Sequence, residues 1–204
     1  MAAKKETSEV SIPAIDIRLF KLKIVGDSPL IMHKWAEKAK QEMLDKQMKK
    51  ATKGKTAKNP WQDYVDSMYW LSEQPATVTH EDITSARFGF PSTGFKASAV
   101  SAGYRAGVTK DKVSTNGSFH VMGEMVEIFG TPQIREDMVR IQMTTDIRYR
   151  AEFTNWSAEL TVRYNANAMS IDQIVNLFNL GGFAVGVGEW RAEKGGSFGM
   201  YHVE

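Results

Sequence analysis

"IRYRAEFTNWSAELTVRY", residues 147–164, is the stretch on which the fold turns. Ile147, Tyr149, Ala151 and Phe153 alternate with Arg148, Arg150 and Glu152, and Leu160, Val162 and Tyr164 alternate with Glu159, Thr161 and Arg163. A period of two is the pattern of a half-buried strand, with one apolar face and one polar face. The short "TNWS" between the two runs predicts a hairpin. Its apolar side chains would face a core, and Arg148, Arg150 and Arg163 would share the other face. Glu152 and Glu159 can pair with those arginines across the strands, so that face reads either as a salt-bridged surface or as the path of a nucleic-acid strand.

After this pair, Ser170 and Gln173 have capping-box spacing ahead of a helical stripe of Ile171, Ile174, Val175 and Phe178, with an expected end at Gly181 and Gly182. In "GEWRAEKGGSFGMYHV" (188–203), Phe198, Met200 and His202 alternate with Gly199, Tyr201 and Val203. The described sequence thus closes on a strand, preceded by a loop in which Gly195 and Gly196 permit positive φ and close approach to a ligand.

Working towards the other end, "VMGEMVEIF" (121–129) and "MVRIQM" (138–143) read as a second hairpin around "GTPQIRED". "FGFPSTGFKASAVSAGYRAG" (88–107) reads as a turn into a helix capped by Ser92 or Thr93. Its Ala97, Ala99, Ala102 and Gly103 would let a neighbouring backbone come close. "PWQDYVDSMYWL" (60–71) predicts a short helix with Trp61, Val65, Met68 and Tyr69 on one stripe. Before it, Trp35, Ala39 and Met43 recur at helical spacing, and the helix gives way to a Lys-, Gly- and Thr-rich segment without apolar period. "IRLFKLKIV" (17–25) is the first strand, closed by "GDSP".

Stripped of insertions, the order is βαββαβ, an α+β, ferredoxin-like plan. The expected organisation is one domain over 1–204, with a flexible start at 1–14, a helical Lys-rich insertion at 34–72 and a hairpin insertion at 121–143. Hydrophobic residues make up 42% and charged residues 25% of the chain, enough to bury a core. The absence of Cys excludes disulfides, thiolate zinc sites and thiol catalysis. "MAAKKETSEV" has no apolar signal core and no apolar run is long enough to span a bilayer, so a cytoplasmic protein without membrane contact is expected. No GxxxxGK[ST] loop occurs, and "GVGEWR" follows a helix, the wrong context for a dinucleotide fingerprint. No cofactor is expected.

Three stretches resemble the RAMP superfamily of CRISPR-associated RNA-binding proteins, above all the backbone subunits that repeat along a guide RNA. "DSPLIMH" is similar to the end of that family's first strand. "FPSTGFKASAVSAGYRAG" is similar to its Pro, small-residue, Lys helix, with Ala97 where a second glycine is usual. "GEWRAEKGGSFG" is similar to its C-terminal Gly-rich loop, with an acidic Glu193 inside it. The resemblance implies a protein that binds single-stranded RNA or DNA, as part of a CRISPR-like complex or as a free-standing viral or mobile-element relative. It also implies head-to-tail self-association along the strand, and partners among other CRISPR-like or recombination proteins.

Residues with the chemistry for such binding are Lys96 and Arg105 on the small-residue helix, Arg191 and Lys194 beside Gly195 and Gly196, and Trp190 and Phe198 as bases' stacking partners. Lys96, read as lying in the first helical turn, would add a charge to an anion-favouring helix start. The bland alternatives are a solvated Lys96 and a core Trp190. Between residues 34 and 58 lysine outnumbers acids threefold, which fits a solvated surface or non-specific phosphate attraction.

Two other functions stay open. RNA-cleaving relatives place a general base near His33, which could deprotonate a 2′-hydroxyl without metal. His80, His120 and His202 have no ligand spacing, and Asp45, Asp63 and Asp66 fall on a charged insertion, so no metal site is expected. A structural or inhibitory protein acting through protein contacts is the third class.

Overall fold

The computed structural model describes residues 13–35, 37–50, 57–141 and 144–204. The expected flexible start therefore falls largely outside the described residues, as do 51–56 of the Lys-rich insertion and 142–143. The chain begins with β1 (Ile17–Gly26) and β2 (Leu30–Met32), followed by α1 (Glu37–Gln47), α2 (Pro60–Asp66) and β3 (Tyr69–Trp70). Next come α3 (His80–Ser85), β4 (Phe88–Pro91), α4 (Ser92–Arg105), α5 (Lys112–Ser118), β5 (Phe119–Val121) and β6 (Met125–Phe129). It finishes with β7 (Pro132–Ile141), β8 (Thr144–Phe153), β9 (Ser157–Asn165), α6 (Ile171–Ala184) and β10 (Tyr201–Val203).

The strands form two antiparallel sheets. The larger runs β10-β1-β9-β6-β4-β3, with β5 also on β9, and the smaller runs β2-β8-β7. The fold is thus α+β, as expected. In β1 and β9, Leu22, Ile24, Ala158, Leu160, Val162 and Tyr164 point into the core, where they meet Phe95 and Ala99 of α4 and Ile174 and Phe178 of α6. The opposite face carries Lys21 bound to Glu159 at 2.6 Å and Lys23 bound to Glu204. Among the described residues no helix is long and apolar enough to cross a membrane.

Both predicted hairpins are re-paired. β7 joins β8 from Pro132↔Phe153 to Ile141↔Thr144, whereas β6 joins β4 and β9, and β9 joins β1. The cause is Trp156 in "TNWS". A hairpin turn would leave it in solvent, but its indole is buried against Phe95 and Tyr201 and donates to the Ser28 carbonyl at 2.8 Å. The segment is a corner between sheets. Gly130 passes the same corner so closely that a Cβ there would lie 2.5 Å from the Asn155 carbonyl oxygen. The extra hairpin is therefore residues 132–153, not 121–143. Residues 121–129 are also interrupted: β5 and β6 both line β9, and the excursion at Gly123 takes a hydrogen bond from the Ser92 hydroxyl. Ser92 therefore opens α4 without capping it, and Thr93 makes no cap bond either.

The capping box at Ser170 and Gln173 forms as expected, but α6 continues through Gly181 and Gly182. Those glycines serve packing. A Cβ on Gly181 would lie 2.8 Å from the Ala99 nitrogen, and one on Gly182 would lie 1.8 Å from the Tyr201 carbonyl oxygen. The small residues of α4 admit this approach, and a Cβ on Gly103 would meet Leu177 at 2.5 Å. In the insertion, Asn59 caps α2, and Val65 and Met68 are buried. Trp35 and Met43 are exposed, so the stripe expected of α1 does not face the core, and the side chain of Ala39 lies outside the described residues.

Candidate nucleic-acid interface

The terminal strand β10 pairs with β1, and this anchors one end of the Gly-rich loop. The loop is laced down by backbone bonds: Glu189 N–H donates to Ile31 O at 3.0 Å, Gly199 N–H to Pro29 O at 2.8 Å and Phe198 N–H to Trp190 O at 3.2 Å. Gly195 has φ +80°, as the turn requires. Gly196 needs its missing side chain for a different reason, since a Cβ would sit 1.7 Å from the Trp190 carbonyl oxygen. Trp190 itself is left-handed, with φ +53°, and is 46% exposed, so it is not a core residue.

Arg105 and Arg191, distant in sequence, meet at Glu193. Arg191 Nη2 lies 2.7 Å from one carboxylate oxygen and Arg105 pairs with the other. Burial pushes the Glu193 carboxyl up, but the Arg191 hydrogen bond and the charges of Arg191, Arg105 and Lys194 outweigh it and hold the group below its ordinary range. Lys194 is exposed on the same turn.

Beneath the loop lies a cavity of about 350 Å³, lined by His33, Tyr69, Gly94, Ser98, Glu189 and Arg191 among others. A second, of about 200 Å³, is lined by His33, Lys34, Lys58, Arg148 and Arg150 together with Asp63, Asp66 and Asp146. His33 borders both, and the two adjoining cavities together are called the groove. Its Nδ1 is 3.3 Å from Glu189 Oε1. That hydrogen bond, with the charges of Arg150 and Arg148 behind it, holds the Glu189 carboxyl below the usual range despite its burial.

Arg148 and Arg150 of the β7–β8 hairpin line the second cavity. Arg135 stacks over Phe198, 4.6 Å from the ring centroid, and is itself held by Asp137 and Glu152 at 2.8 and 2.7 Å. Arg150 is 2% exposed, and burial pushes its guanidinium down from its ordinary value. Glu189 and Arg135 were not legible as site residues, because the first looks like one more surface acid and the second reads as part of a turn.

The arginines expected on one face divide between the sheets. Arg148 and Arg150 stand on the hairpin, whereas Arg163 lies opposite His120 on the larger sheet. Lys96 joins the second group. It occupies the second turn of α4, donates to the Asn116 carbonyl at 2.7 Å, and lies 3.2 Å from His120 Nδ1. It is therefore not at the helix start; like Trp190, Lys194, Phe198 and Arg135 it is not among the residues lining either cavity, and its ammonium is turned to Asn116 and His120. Asp63 and Asp66 line the groove, while Asp45 accepts from Gln41 and Lys50 on α1 and its flank. Among the described residues no three His, Cys, Asp or Glu side chains gather in a way that could hold a metal ion. Compared with known proteins, the chain matches no family model and none of the curated proteins.

Proposed function

We propose that the chain binds single-stranded nucleic acid, RNA or DNA, in the groove between the Gly-rich loop and the β7–β8 hairpin, without cutting it. The observation that carries this reading is Trp190, a large ring held at the surface in a left-handed conformation on a loop otherwise laced to the fold. Such a conformation costs an L-residue about 1–2 kcal/mol. A base stacked on the ring contributes about 1–3 kcal/mol in single-strand binders. Lys194 supplies an exposed charge on the same turn, and Arg191, paired with Glu193, and Arg148 line the cavities beside it.

The order β10-β1-β9-β6, with α4 and α6 against one face, supports reading the core as ferredoxin-like and the protein as a RAMP relative. On that plan β3 and β4 extend the sheet at one edge. A unit of this size covers few nucleotides, so tight binding would come from copies aligned head to tail. The test is equilibrium binding of labelled RNA and DNA strands of increasing length at several salt concentrations. Affinity should rise cooperatively with length and fall with salt, with a logarithmic slope of about 0.7 per phosphate contact. Binding at no length would move the weight to a protein acting through protein contacts.

His33 favours a second reading. With Nδ1 oriented by Glu189 at the seam of the groove, Nε2 is left to take a proton from a 2′-hydroxyl, the arrangement of a metal-independent endoribonuclease. A cut reproducible with the native chain and lost in His33→Ala, with affinity retained, would establish it over the non-enzymatic reading.

A further inference from the structure

The strands at the edges of the two sheets differ in length. β2 and β10 have three residues each and β3 has two, whereas β7 has ten, runs against β8 without a bulge, and has no strand beyond it among the described residues. A long, regular edge is a template for another strand.

The backbone groups that β7 turns outward can be assigned. Pro132 has no N–H, and its carbonyl accepts from the Tyr64 hydroxyl at 3.1 Å, so Pro132 and Phe153 face each other without exchanging ladder bonds. Ala151, opposite Ile134, likewise gives its N–H to the Ser67 hydroxyl at 2.8 Å. Bonded and non-bonded pairs alternate along an antiparallel ladder, so Ile134, Glu136, Met138 and Arg140 all direct N–H and C=O away from β8. Their side chains share one face, because residues two apart lie on the same side of a strand. All four are exposed, Met138 at 76%. Ile147, opposite Met138 on β8, extends the apolar surface. Glu136 and Arg140 flank Met138 with opposite charges. Glu136 already accepts from the Tyr149 hydroxyl, but an exposed carboxylate has lone pairs for a second donor.

We propose that β7 pairs antiparallel with β7 of a second copy about a two-fold axis through Met138. Outward groups can bond only outward groups, which requires the axis to pass through a residue. With the axis at Met138, the two methionines face each other and Glu136 lies opposite the partner's Arg140 on both sides. An axis at Glu136 would oppose two carboxylates, one at Arg140 two guanidiniums, and one at Asp137 or Val139 would pair no opposite charges. The β2-β8-β7 sheet then continues unbroken into its copy, and Pro132 with its Tyr64 bond stays outside the contact. This contact uses one surface twice and closes at two copies. It needs no nucleic acid, and it differs from the head-to-tail contacts proposed along a strand, which join two different surfaces.

Sedimentation velocity of the full chain without nucleic acid, over a concentration series, reads the contact. A monomer–dimer equilibrium is expected, at the weak end of specific interfaces because a single strand pair is small. Glu136→Arg sets like charges opposite each other twice and should weaken the dimer about 10-fold or more, and adding Arg140→Glu should restore native association. Met138→Cys gives a second readout at an exposed position. The chain has no Cys of its own, so a short bismaleimide should join two copies at the axis. A monomer at every concentration, a dimer indifferent to Glu136→Arg, or a charge reversal that the second substitution does not rescue overturns the pairing. A dimer in which Met138→Cys is not joined overturns it as well. A free protein that stays monomeric yet assembles on a strand overturns this contact and leaves the strand-binding reading intact.

Discussion

Trp190 separates the cost of a backbone conformation from the contribution of a side chain, and two substitutions measure each. Trp190→Ala and Trp190→Gly remove the same ring, which is 46% exposed in the native loop, so the packing they lose is the same. They differ in how they tolerate φ +53°. Alanine keeps the strain of about 1–2 kcal/mol that a Cβ imposes there, and glycine is relieved of it, less the roughly 0.5–1 kcal/mol by which glycine is disfavoured through its freer unfolded chain. Trp190→Gly should therefore be at least as stable as Trp190→Ala, exceeding it by up to about 1.5 kcal/mol. Urea unfolding can follow this through Trp35, Trp61, Trp70 and Trp156, which remain as reporters. Both variants should lose strand affinity alike, by about 5- to 150-fold for a stacking contact of about 1–3 kcal/mol. Alanine exceeding glycine in stability would refute the left-handed assignment. Native affinity in both variants would refute the stacking role, whatever their stabilities.

Gly182→Ala gains about 1 kcal/mol of helix propensity but drives a methyl to 1.8 Å from the Tyr201 oxygen, so thermal unfolding should show a net loss of at least about 1–3 kcal/mol; a stabilised variant would contradict the α6–β10 packing. His120 is held below the ordinary imidazole value of 6.5 by burial and then by Lys96 and Arg163. The unfolded chain therefore takes up this proton first, and stability, full above 6.5, falls as pH drops towards the folded value. His120→Asn should flatten that limb of a stability-against-pH curve, and an unchanged slope would contradict the cluster. Lys96→Met should leave strand affinity within twofold while altering the His120 titration by NMR, because Lys96 points to His120 and Asn116 instead of the groove; a large loss of affinity would place the site on the other side of α4.

Local features of the fold were readable from the chain. Ser170 and Gln173 bond across a single helical turn, and Pro60 opens α2, so neighbours in sequence settle both. Strand pairing is different. The alternation in 147–164 identifies two strands but is equally satisfied by any partner that buries the same face. The choice was made by Trp156, whose ring reaches Ser28 across the fold. For the same reason Arg148 and Arg150 separated from Arg163, since their shared parity has meaning only within one sheet. The Gly-rich loop was legible in its glycines, yet Gly196 serves a carbonyl contact and the unusual φ belongs to Trp190. Glu189 and Arg135 entered the site through β2 and the hairpin, elements whose placement depended on that corner.

Photocrosslinking of a bound strand, read out by mass spectrometry of the joined peptides, tests the groove most directly. Oligonucleotides carrying photoreactive bases should crosslink to the loop around Trp190 and Phe198 and to the polar face of the β7–β8 hairpin. Crosslinks concentrated instead on the charged outer face of the larger sheet, around Lys21, Glu159 and Arg163, would contradict the account even if the protein binds single strands tightly.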